Sequence, residues 1–299
     1  MLEQKYNVPV CAGIVTYNPN LELLLQCVEA ICKQVDIVFI YDNGSSNSSE
    51  LKSLIEHYKV EIEFSSTNNG ISKALNSLCK KAISKGFDWI VTMDQDSICK
   101  DNMVSHLVNH ITTASGIIAP RVEFWEGDSL LLSTKDRDKD IVSIDACITS
   151  GSLTNLKAWD KIGGFDEWMF IDHVDNEFCT RLRTFNYSIS RVNTAVLLQR
   201  AGEMKYMTLP NGKHILLPYY SPLRHYYSCR NTVYFLRKYR KNIDFTHELL
   251  VFIYSVLMKL TFESGRIQTI KATYRGIRDG LLVNIDNSMG IKNIYKQLL

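Results

Sequence analysis

The first 97 residues alternate between short apolar runs and longer segments with helical periodicity, and this alternation restricts the fold more than any other feature. The apolar runs are VPVCAGIVTY, DIVFIYD, VEIEFSS and DWIVTMD. In the segments between them, apolar residues recur every three or four positions, as on one face of a helix. A helical connection returns the chain to the start of a parallel neighbouring strand. The sequence therefore predicts an α/β fold with a doubly wound, mainly parallel sheet and helices on both faces.

Polar residues follow three of the four predicted strands at the point where each strand ends. They are Thr16-Tyr17-Asn18, Asp42-Asn43 and Asp94-Gln95-Asp96. An open doubly wound sheet binds its ligands beyond the carboxyl ends of its strands. We therefore expect the three clusters to meet at one ligand-binding edge.

Asp94 and Asp96 stand one residue apart directly after a buried strand. In an extended segment their side chains point the same way, and two neighbouring carboxylates repel each other unless a cation lies between them. A hard divalent cation such as Mg²⁺ prefers oxygen ligands and often shares its shell with substrate phosphates. The pair therefore predicts a metal–diphosphate site. The alternative is that Asp96-Ser97 caps the helix predicted for DNMVSHLVNH.

The loops after the second and third strands have two interpretations. Asp42 would accept hydrogen bonds from a nucleotide base, with Asn43 and Gly44 shaping the pocket, but Asp-Asn-Gly is also ordinary turn chemistry. Asn68-Asn69-Gly70 is either a loop that precedes a helix or a loop beside a bound diphosphate.

A further acidic group lies in FIDHVDNEFCTR and contains Asp172, Asp175 and Glu177. Acidic residues near a helix start are favoured by the helix dipole. The functional alternative is a general base, because a sugar hydroxyl needs a carboxylate within hydrogen-bond reach to take its proton.

The C-terminal third is basic and helical in pattern. Residues 201–299 contain 15 Lys and Arg but only 6 Asp and Glu, which indicates contact with an anionic partner. The 14-residue apolar stretch 249–262 is interrupted by Lys259 and is shorter than a bilayer span. A buried helix is the favoured prediction, with an interfacial helix as the alternative.

Cysteine usage and the N-terminal sequence predict a cytoplasmic location. The eight cysteines form no C-x-x-C pair and lie mostly within apolar patterns, as buried reduced thiols do. The N-terminal sequence lacks a basic region followed by a long apolar stretch, so we expect no signal peptide.

Seven motifs occur in an order that resembles a known family. They are VTYN (15–18), YDNGSSN (41–47), NNGISKALN (68–76), MDQDS (93–97), ITSGSL (148–153), KIGGFDEWMFIDHVDNEFCTR (161–181) and SPLRHYYSCRN (221–231). Together they resemble family-2 inverting glycosyltransferases with a GT-A fold, over roughly residues 8–235. Within that family the chain is most similar to bacterial rhamnosyltransferases of O-antigen or capsule synthesis.

The resemblance implies a GT-A domain over residues 1–220 and a basic, mostly helical extension over 221–299. It implies transfer of a sugar, rhamnose from dTDP-rhamnose, to a lipid-diphosphate-linked or polysaccharide acceptor with Mg²⁺ or Mn²⁺ as cofactor. UDP-galactose and UDP-galactofuranose are the alternative donors. An anionic membrane surface at the inner face of the bacterial membrane and a homodimer contact are further expected partners, and nucleic acid is not.

The resemblance also implies roles for individual residues. Asp175 is expected to be the catalytic base, with Asp172 as the second choice. Asp96 is expected to bind the metal directly, and Asp94 to support the metal or hold the ribose. The remaining donor-side residues are Thr16, Tyr17, Asn18, Asp42, Asn43, Asn69, Gly70, Gln95, Gly151 and Ser152. Phe165 and Asp166 are expected on the acceptor side.

One position departs from the pattern of many relatives, which carry a metal-binding His where this chain has Gln199. Either carboxylate, phosphate and water complete the metal shell, or another histidine substitutes, with His225 and His173 as candidates. A nucleotidyltransferase and a non-catalytic nucleotide-sugar-binding module are the alternatives from other functional classes. The nucleotidyltransferase reading is disfavoured because VTYNPN is not a basic Gly-rich loop.

Overall fold

A ten-stranded mixed sheet forms the centre of the fold in the computed structural model. The structure describes residues 8–126, 129–132, 138–200, 204–208, 214–218, 221–262 and 266–285. The strands of this sheet are β1 (Val10–Thr16), β2 (Ile37–Asp42), β3 (Val60–Phe64), β4 (Trp89–Asp94), β5 (Ile98–Cys99), β6 (Ser115–Glu126), β7 (Ser129–Leu132), β8 (Ile141–Ser143), β9 (Leu153–Asn155) and β10 (Ser188–Arg200). Two more strands, β11 (Met204–Thr208) and β12 (His214–Pro218), pair with each other in a separate antiparallel ribbon.

Helices connect the strands and then follow them. Those before residue 200 are α1 (Leu21–Cys32), α2 (Ser48–Ile55), α3 (Ile71–Ser84), α4 (Met103–Val108), α5 (Leu156–Lys161) and α6 (Val174–Thr184). The C-terminal helices are α7 (Pro222–Lys238), α8 (Phe245–Phe262) and α9 (Arg266–Leu282). α7 begins as helix-start chemistry predicts, because the side chain of Ser221 accepts a hydrogen bond from the Arg224 backbone N–H and Pro222 follows it.

The N-terminal half of the sheet has the predicted parallel arrangement. The strand order is β3-β2-β1-β4, and each neighbouring pair is parallel. Thr16 lies opposite Asp42, and Val15 lies opposite Asp94. The polar residues that end these strands therefore share one edge.

The second half of the sheet is mixed. β9 is antiparallel to β4 and β6, and β10 is parallel to β6 but antiparallel to β5 and β8. The apolar and β-branched residues of IDACITSGSLTN (144–155) predict a further strand, but only β9 forms, because residues 144–152 are a loop. Gly151 has a φ of 75°, which interrupts an extended chain, and the hydroxyl of Ser152 donates to the carbonyl of Ile148.

Apolar residues of the sheet pack on both faces, as expected for strands covered by helices. Alternate β1 residues Ala12 and Ile14 belong to the core that includes Leu24 and Val28 of α1. Cys11 and Val15 face the other core, with Leu78 of α3.

α7 packs into the second of these cores, although its sequence lies in the predicted extension. Tyr234, Phe235 and Tyr239 belong to the same buried cluster as β1 residues Cys11 and Val15. Among the residues that the structure describes, no helix has the length and apolar character needed to cross a membrane.

Candidate active site

A cleft of about 410 Å³ opens at the carboxyl edge of the parallel strands. Its walls come from residues at or just after the ends of β1, β2 and β4, from the start of α3 and the loop before it, and from the loop before β9. Segment 170–175, the end of β10 and the first turn of α7 complete them. The lining residues are Val15, Tyr17, Asn43, Asn68, Gly70, Ile71, Asp94, Gln95, Asp96, Ile148, Thr149, Phe170, Ile171, Asp172, Val174, Asp175, Gln199 and Arg224. The acidic residues after β4 and those at the start of α6 therefore border the same space.

Asp94 and Asp96 face this cleft from the end of β4. Burial raises the pKa of Asp94, and the Asp96 charge adds to this, while the Gln199 hydrogen bond and the Arg224 charge act in the opposite direction. Burial also raises the pKa of Asp96, against a backbone hydrogen bond and the charge of Arg200. Both pKa shifts show that these carboxylates bear a desolvation cost which a bound cation would offset.

The carboxylate pair fits a hard divalent cation, because its oxygens are the ligand type that Mg²⁺ and Mn²⁺ prefer. Across the described residues, no group of three or more His, Cys, Asp and Glu side chains is arranged to hold a metal ion. A cation held by Asp94 and Asp96 would therefore complete its shell with water or substrate oxygens.

Gln199 closes a ring of hydrogen bonds around Asp94. The Asp94 backbone N–H donates to Ser150 Oγ (3.0 Å), Ser150 donates to Ser97 Oγ (2.9 Å), and Ser97 donates to Gln199 Oε1 (2.7 Å). The amide nitrogen of Gln199 then donates to Asp94 Oδ2 (3.0 Å). Because an ionised carboxylate only accepts hydrogen bonds, the amide nitrogen must face Asp94. Gln199 thus orients Asp94 and turns its own oxygen away from it.

We expect Gln199→Leu to bind Mn²⁺ about tenfold more weakly, because a hydrogen bond to a charged group contributes about 1.5 kcal/mol or more. Its loss also raises the pKa of Asp94, since this bond lowers that pKa in the wild type. Titration of Mn²⁺ by electron paramagnetic resonance, without donor, measures the affinity. Ser97→Ala, which keeps the bond to Asp94, should show a smaller loss. Unchanged or tighter Mn²⁺ binding by a folded Gln199→Leu variant would contradict this role.

Asp175 lies in the first turn of α6 and lines the same cleft as Asp94. Its Oδ1 accepts a hydrogen bond from the Thr149 backbone N–H at 3.0 Å. Burial, followed by the charge of Asp94, raises the pKa of Asp175 to about 6. A carboxylate with a pKa close to neutral pH is a stronger proton acceptor than an ordinary one, yet is still largely ionised at pH 7.

Asp172, the second candidate for the base, has a different environment. Its Oδ1 accepts hydrogen bonds from the Arg224 guanidinium, with the shortest contact at 3.1 Å. Its Oδ2 is buried and has no hydrogen-bond partner among the described residues. The ion pair makes Asp172 a less available proton acceptor than Asp175.

α7 holds the segment that leads into α6. Asp172 and His173 both have left-handed backbone conformations, with φ of 64° and 61°, which cost energy for residues other than glycine. The side-chain amide of Asn231 donates to the carbonyls of Ile171 (2.7 Å) and Asp172 (3.0 Å). Thr232 Oγ1 lies 2.7 Å from His173 Nε2. The shape of this wall of the cleft therefore depends on α7.

A second set of α7 contacts is fully buried. Lys238 Nζ forms ion pairs with Asp166 (2.7 Å) and Glu177 (3.0 Å), and Glu177 also pairs with Arg181 (2.8 Å). Tyr239 donates a hydrogen bond to Glu177. The two acids and two bases balance in charge. Glu177, the acid that follows Asp175, is thus part of a structural network and does not line the cleft.

The expectation that Phe165 and Asp166 contact the acceptor is contradicted by their burial. Phe165 is 1% exposed and stacks on Phe178, with ring centroids 4.0 Å apart. Asp166 is 4% exposed, and its carboxylate is engaged by Lys238 and Tyr234. The GGFD motif therefore supports the cleft from the core.

The donor-side residues separate into a lining group and a supporting group. Tyr17, Asn43, Gly70 and Gln95 line the cleft, and Gln95 Oε1 accepts a hydrogen bond from the Tyr17 backbone N–H (2.8 Å). Gly70 has a φ of 84°, and a Cβ there would lie 2.7 Å from the Phe170 carbonyl oxygen. This close approach requires glycine between the two walls.

The supporting group holds the loops in place from behind. Asp42 is 1% exposed and accepts hydrogen bonds from the Thr16 hydroxyl and from the backbone and hydroxyl groups of Ser45. Asn18 accepts from Ser46, and Asn69 donates to Ser65. The carboxylate oxygens of Asp42 are engaged in these hydrogen bonds, and Asp42 does not line the cleft. This is contrary to the prediction that Asp42 contacts a nucleotide base directly.

Four other candidates lie outside the cleft lining. Gly151 packs against Pro120 and Leu197, and Ser152 is 1% exposed, so neither reaches the cleft as predicted. His225 is 3% exposed and hydrogen-bonded to Thr273, which contradicts its candidacy as a metal ligand. His173 packs against α7 through its contact with Thr232.

Sequence reasoning did not assign cleft roles to Thr149, Phe170 and Arg224. Thr149 acts through its backbone N–H, which carries no residue-type signal. Phe170 was hidden within an apolar run, and Arg224 was grouped with other basic residues of the C-terminal third. All three lie within the motifs ITSGSL, KIGGFDEWMFIDHVDNEFCTR and SPLRHYYSCRN, so motif membership was the available signal.

Comparison with protein families gives a match over roughly the first half of the chain. The profile of glycosyl transferase family 2 matches residues 11–168. The chain is 26% identical to dTDP-rhamnosyl transferase RfbF of Shigella flexneri, over 95% of this chain and 97% of that protein.

Solved structures show the same fold at low sequence identity. S. aureus TarS 1-349 in complex with UDP-GlcNAc has a TM-score of 0.56 and 15% identity, covering 97% of this chain and 92% of that chain. GalNAc-T7 with UDP, GalNAc and Mn²⁺ has a TM-score of 0.55 and 12% identity, covering 65% of this chain and 43% of that chain. These likenesses support the predicted GT-A fold.

Proposed function

Because this chain belongs to glycosyl transferase family 2, we propose that it transfers rhamnose from dTDP-rhamnose to a hydroxyl of a saccharide acceptor, with inversion at C1. The family makes it a glycosyltransferase. The likeness to dTDP-rhamnosyl transferase RfbF supports the rhamnosyl donor. The single observation that carries the chemistry is the cleft shared by Asp94, Asp96 and Asp175.

The proposed reaction is one displacement. Asp175 takes the proton of the acceptor hydroxyl, the acceptor oxygen forms a bond to C1, and the bond from C1 to the leaving diphosphate oxygen breaks. Thr149 holds the Asp175 carboxylate through its backbone N–H. Arg224, which lines the cleft and pairs with Asp172, adds positive charge beside the leaving group. A divalent cation held by Asp96 and Asp94 would neutralise charge on the leaving diphosphate.

The pH profile of kcat/KM tests the assignment of Asp175. The base acts in its ionised form, so activity should rise with pH as Asp175 loses its proton. Burial and the Asp94 charge raise the pKa of Asp175 from an ordinary 3.8 to about 6, and a bound cation would cancel part of the Asp94 effect. We therefore expect an acid limb between these values in the wild type that is lost in Asp175→Asn. A limb that persists unchanged in that variant would assign it to another group.

Donor identity is tested by measuring transfer and hydrolysis of dTDP-rhamnose, UDP-galactose and UDP-galactofuranose with Mg²⁺ or Mn²⁺. The proposal expects dTDP-rhamnose to be used most efficiently and to release dTDP. Preference for a UDP-sugar would keep the glycosyltransferase and reject the rhamnosyl donor. Release of inorganic diphosphate from a nucleoside triphosphate would instead favour a nucleotidyltransferase, and donor binding without turnover would favour a binding module.

The acceptor proposed from the resemblance is a lipid-diphosphate-linked saccharide of O-antigen or capsule synthesis, at the inner face of the bacterial membrane. Residues 1–220 form the proposed transferase domain and residues 221–299 its basic extension. The contacts of α7 with segment 166–177 support joint action of the two parts in forming the cleft.

A further inference from the structure

α8 has an unusual environment for an apolar helix. The ten consecutive residues 249–258, LLVFIYSVLM, carry no charge, yet none of residues 245–261 is buried. The buried helix predicted for this stretch is therefore wrong. The exposed apolar residues of α8 are Leu250, Val251, Ile253, Tyr254 and Leu257, each between 45% and 64% exposed. A continuous apolar surface of this kind marks a site of interaction.

α9 packs against α7 with one face and leaves the opposite face exposed. A Cβ on Gly276 would lie 2.6 Å from the Tyr226 carbonyl oxygen, and one on Gly280 would lie 2.5 Å from that of Arg230. These two glycines allow the helices to pack closely. They also determine which side of α9 faces outward.

The outward face of α9 carries two adjacent stripes. At the α-helical rotation of about 100° per residue, four of its five exposed large apolar residues fall within a sector of about 60°. These four are Ile267, Ile270, Tyr274 and Leu281, each more than half exposed. The fifth, Leu282 at the end of the helix, falls in the neighbouring sector. The exposed basic residues of α9, Lys271, Arg275 and Arg278, occupy this neighbouring sector of about 60°. Arg278 pairs with Asp279, which offsets one of the three charges.

We propose that α8 and the outward face of α9 form a docking surface for an anionic phospholipid membrane. A helix with an apolar stripe beside a basic stripe lies in the membrane interface, with the apolar side inserted and the cations near the lipid phosphates. The surface of this chain has that arrangement, and its C-terminal third has an excess of 9 positive charges.

A second copy of this chain fits the surface less well than lipid does. In a two-fold dimer the same patch appears on both subunits, so the basic stripes would face like charge. An anionic membrane offers an apolar interior and complementary charge at once. Since no described helix can span a membrane, the chain would bind at its surface.

Membrane docking rests on the proposed function only in what it would achieve. It would bring the cleft close to lipid-linked acceptors. α9 packs on α7, and the first turn of α7 places Arg224 in the cleft lining. The docking surface is therefore connected to the wall of the active site through one rigid helix.

Flotation of the full chain with vesicles tests the surface directly. One set of vesicles contains phosphatidylglycerol and phosphatidylcholine, and the other contains phosphatidylcholine alone. The charge variant combines Lys271→Gln, Arg275→Gln and Arg278→Gln, and the apolar variant combines Ile267→Ser, Ile270→Ser and Tyr274→Ser. The matched control combines Lys33→Gln, Lys52→Gln and Lys80→Gln, which removes three exposed positive charges at the end of α1, in α2 and in α3.

We expect the wild type and the control to float with the anionic vesicles, less so at high salt, and not with phosphatidylcholine alone. The charge variant should partition on the order of 100-fold less, at about 1 kcal/mol per basic residue near the surface. The apolar variant should also lose binding. Equal flotation of all variants would overturn the proposal. So would a wild type that binds no vesicles and forms, in light scattering, a dimer that only the apolar variant disrupts.

Glycosyl transfer to a water-soluble acceptor analogue, measured without vesicles, tests the proposed function independently of the docking surface. Both surface variants should retain that activity, since none of the substituted residues lines the cleft. Vesicle binding without glycosyl transfer by the wild type would count against the proposed function alone. Transfer without vesicle binding would count against the docking surface alone.

Discussion

Asp175→Asn is expected to reduce kcat by about 10²–10⁴-fold, the usual contribution of a general base. Asparagine has nearly the same shape, and its carbonyl oxygen still accepts the hydrogen bond from the Thr149 backbone N–H. It cannot take a proton from the acceptor hydroxyl. The KM for the donor should change little, because the base acts on the acceptor. Steady-state kinetics with saturating metal ion measures both parameters.

Asp172→Asn provides the matched control for this prediction. The Asp172 carboxylate also lines the cleft but is paired with Arg224, so the variant should reduce kcat less than Asp175→Asn does. Its main effect should be on donor binding, through release of Arg224. A larger loss of kcat in Asp172→Asn than in Asp175→Asn would transfer the role of base to Asp172.

Lys238→Met is expected to destabilise the protein by about 3–5 kcal/mol, the range observed when one partner of a buried ion pair is removed. The Lys238 side chain is fully buried between those of Asp166 and Glu177, and the side chains of these two acids are only 3% and 1% exposed. Methionine fills a similar volume but leaves two carboxylates with only Arg181 as a charged partner. Denaturant unfolding monitored by circular dichroism measures the free energy of unfolding.

Two further variants distinguish loss of charge balance from loss of packing. Lys241→Met makes the same change at an exposed position of the loop after α7 and should alter stability by less than about 0.5 kcal/mol. Adding Asp166→Asn to Lys238→Met removes one of the uncompensated charges and should recover part of the loss. A Lys238→Met protein as stable as the wild type would show that the buried network does not hold α7 in place.

The parallel half of the fold was predictable because its signals are local. Strand β4 is one apolar run, α3 shows helical periodicity and ends near Gly86, and each connection is long enough for a parallel return. Asp94 and Asp96 follow β4 directly, so their position at the sheet edge depends on strand direction alone. The same reasoning placed Asp175 in the first turn of a helix.

The supporting residues were not predictable in this way, because their partners are distant in sequence. Asp42, Asp166 and His225 have the residue types of active-site groups. The structure instead satisfies them with Thr16, Lys238 and Thr273, which lie 26, 72 and 48 positions away. A carboxylate or imidazole that is buried against such a partner looks the same in sequence as one that faces a ligand.

By itself, the sequence determined the order of strands and helices in the parallel half, the edge of the sheet that holds the cleft, and the acidic residues that could act there. These follow from periodicity and from the direction of each strand. Only the tertiary structure decided that the Gln199 amide nitrogen faces Asp94, that Lys238 pairs with two buried acids, and that α8 lies on the surface. Those outcomes depend on which distant groups meet once the chain is packed, and apolar or charged character alone does not specify them.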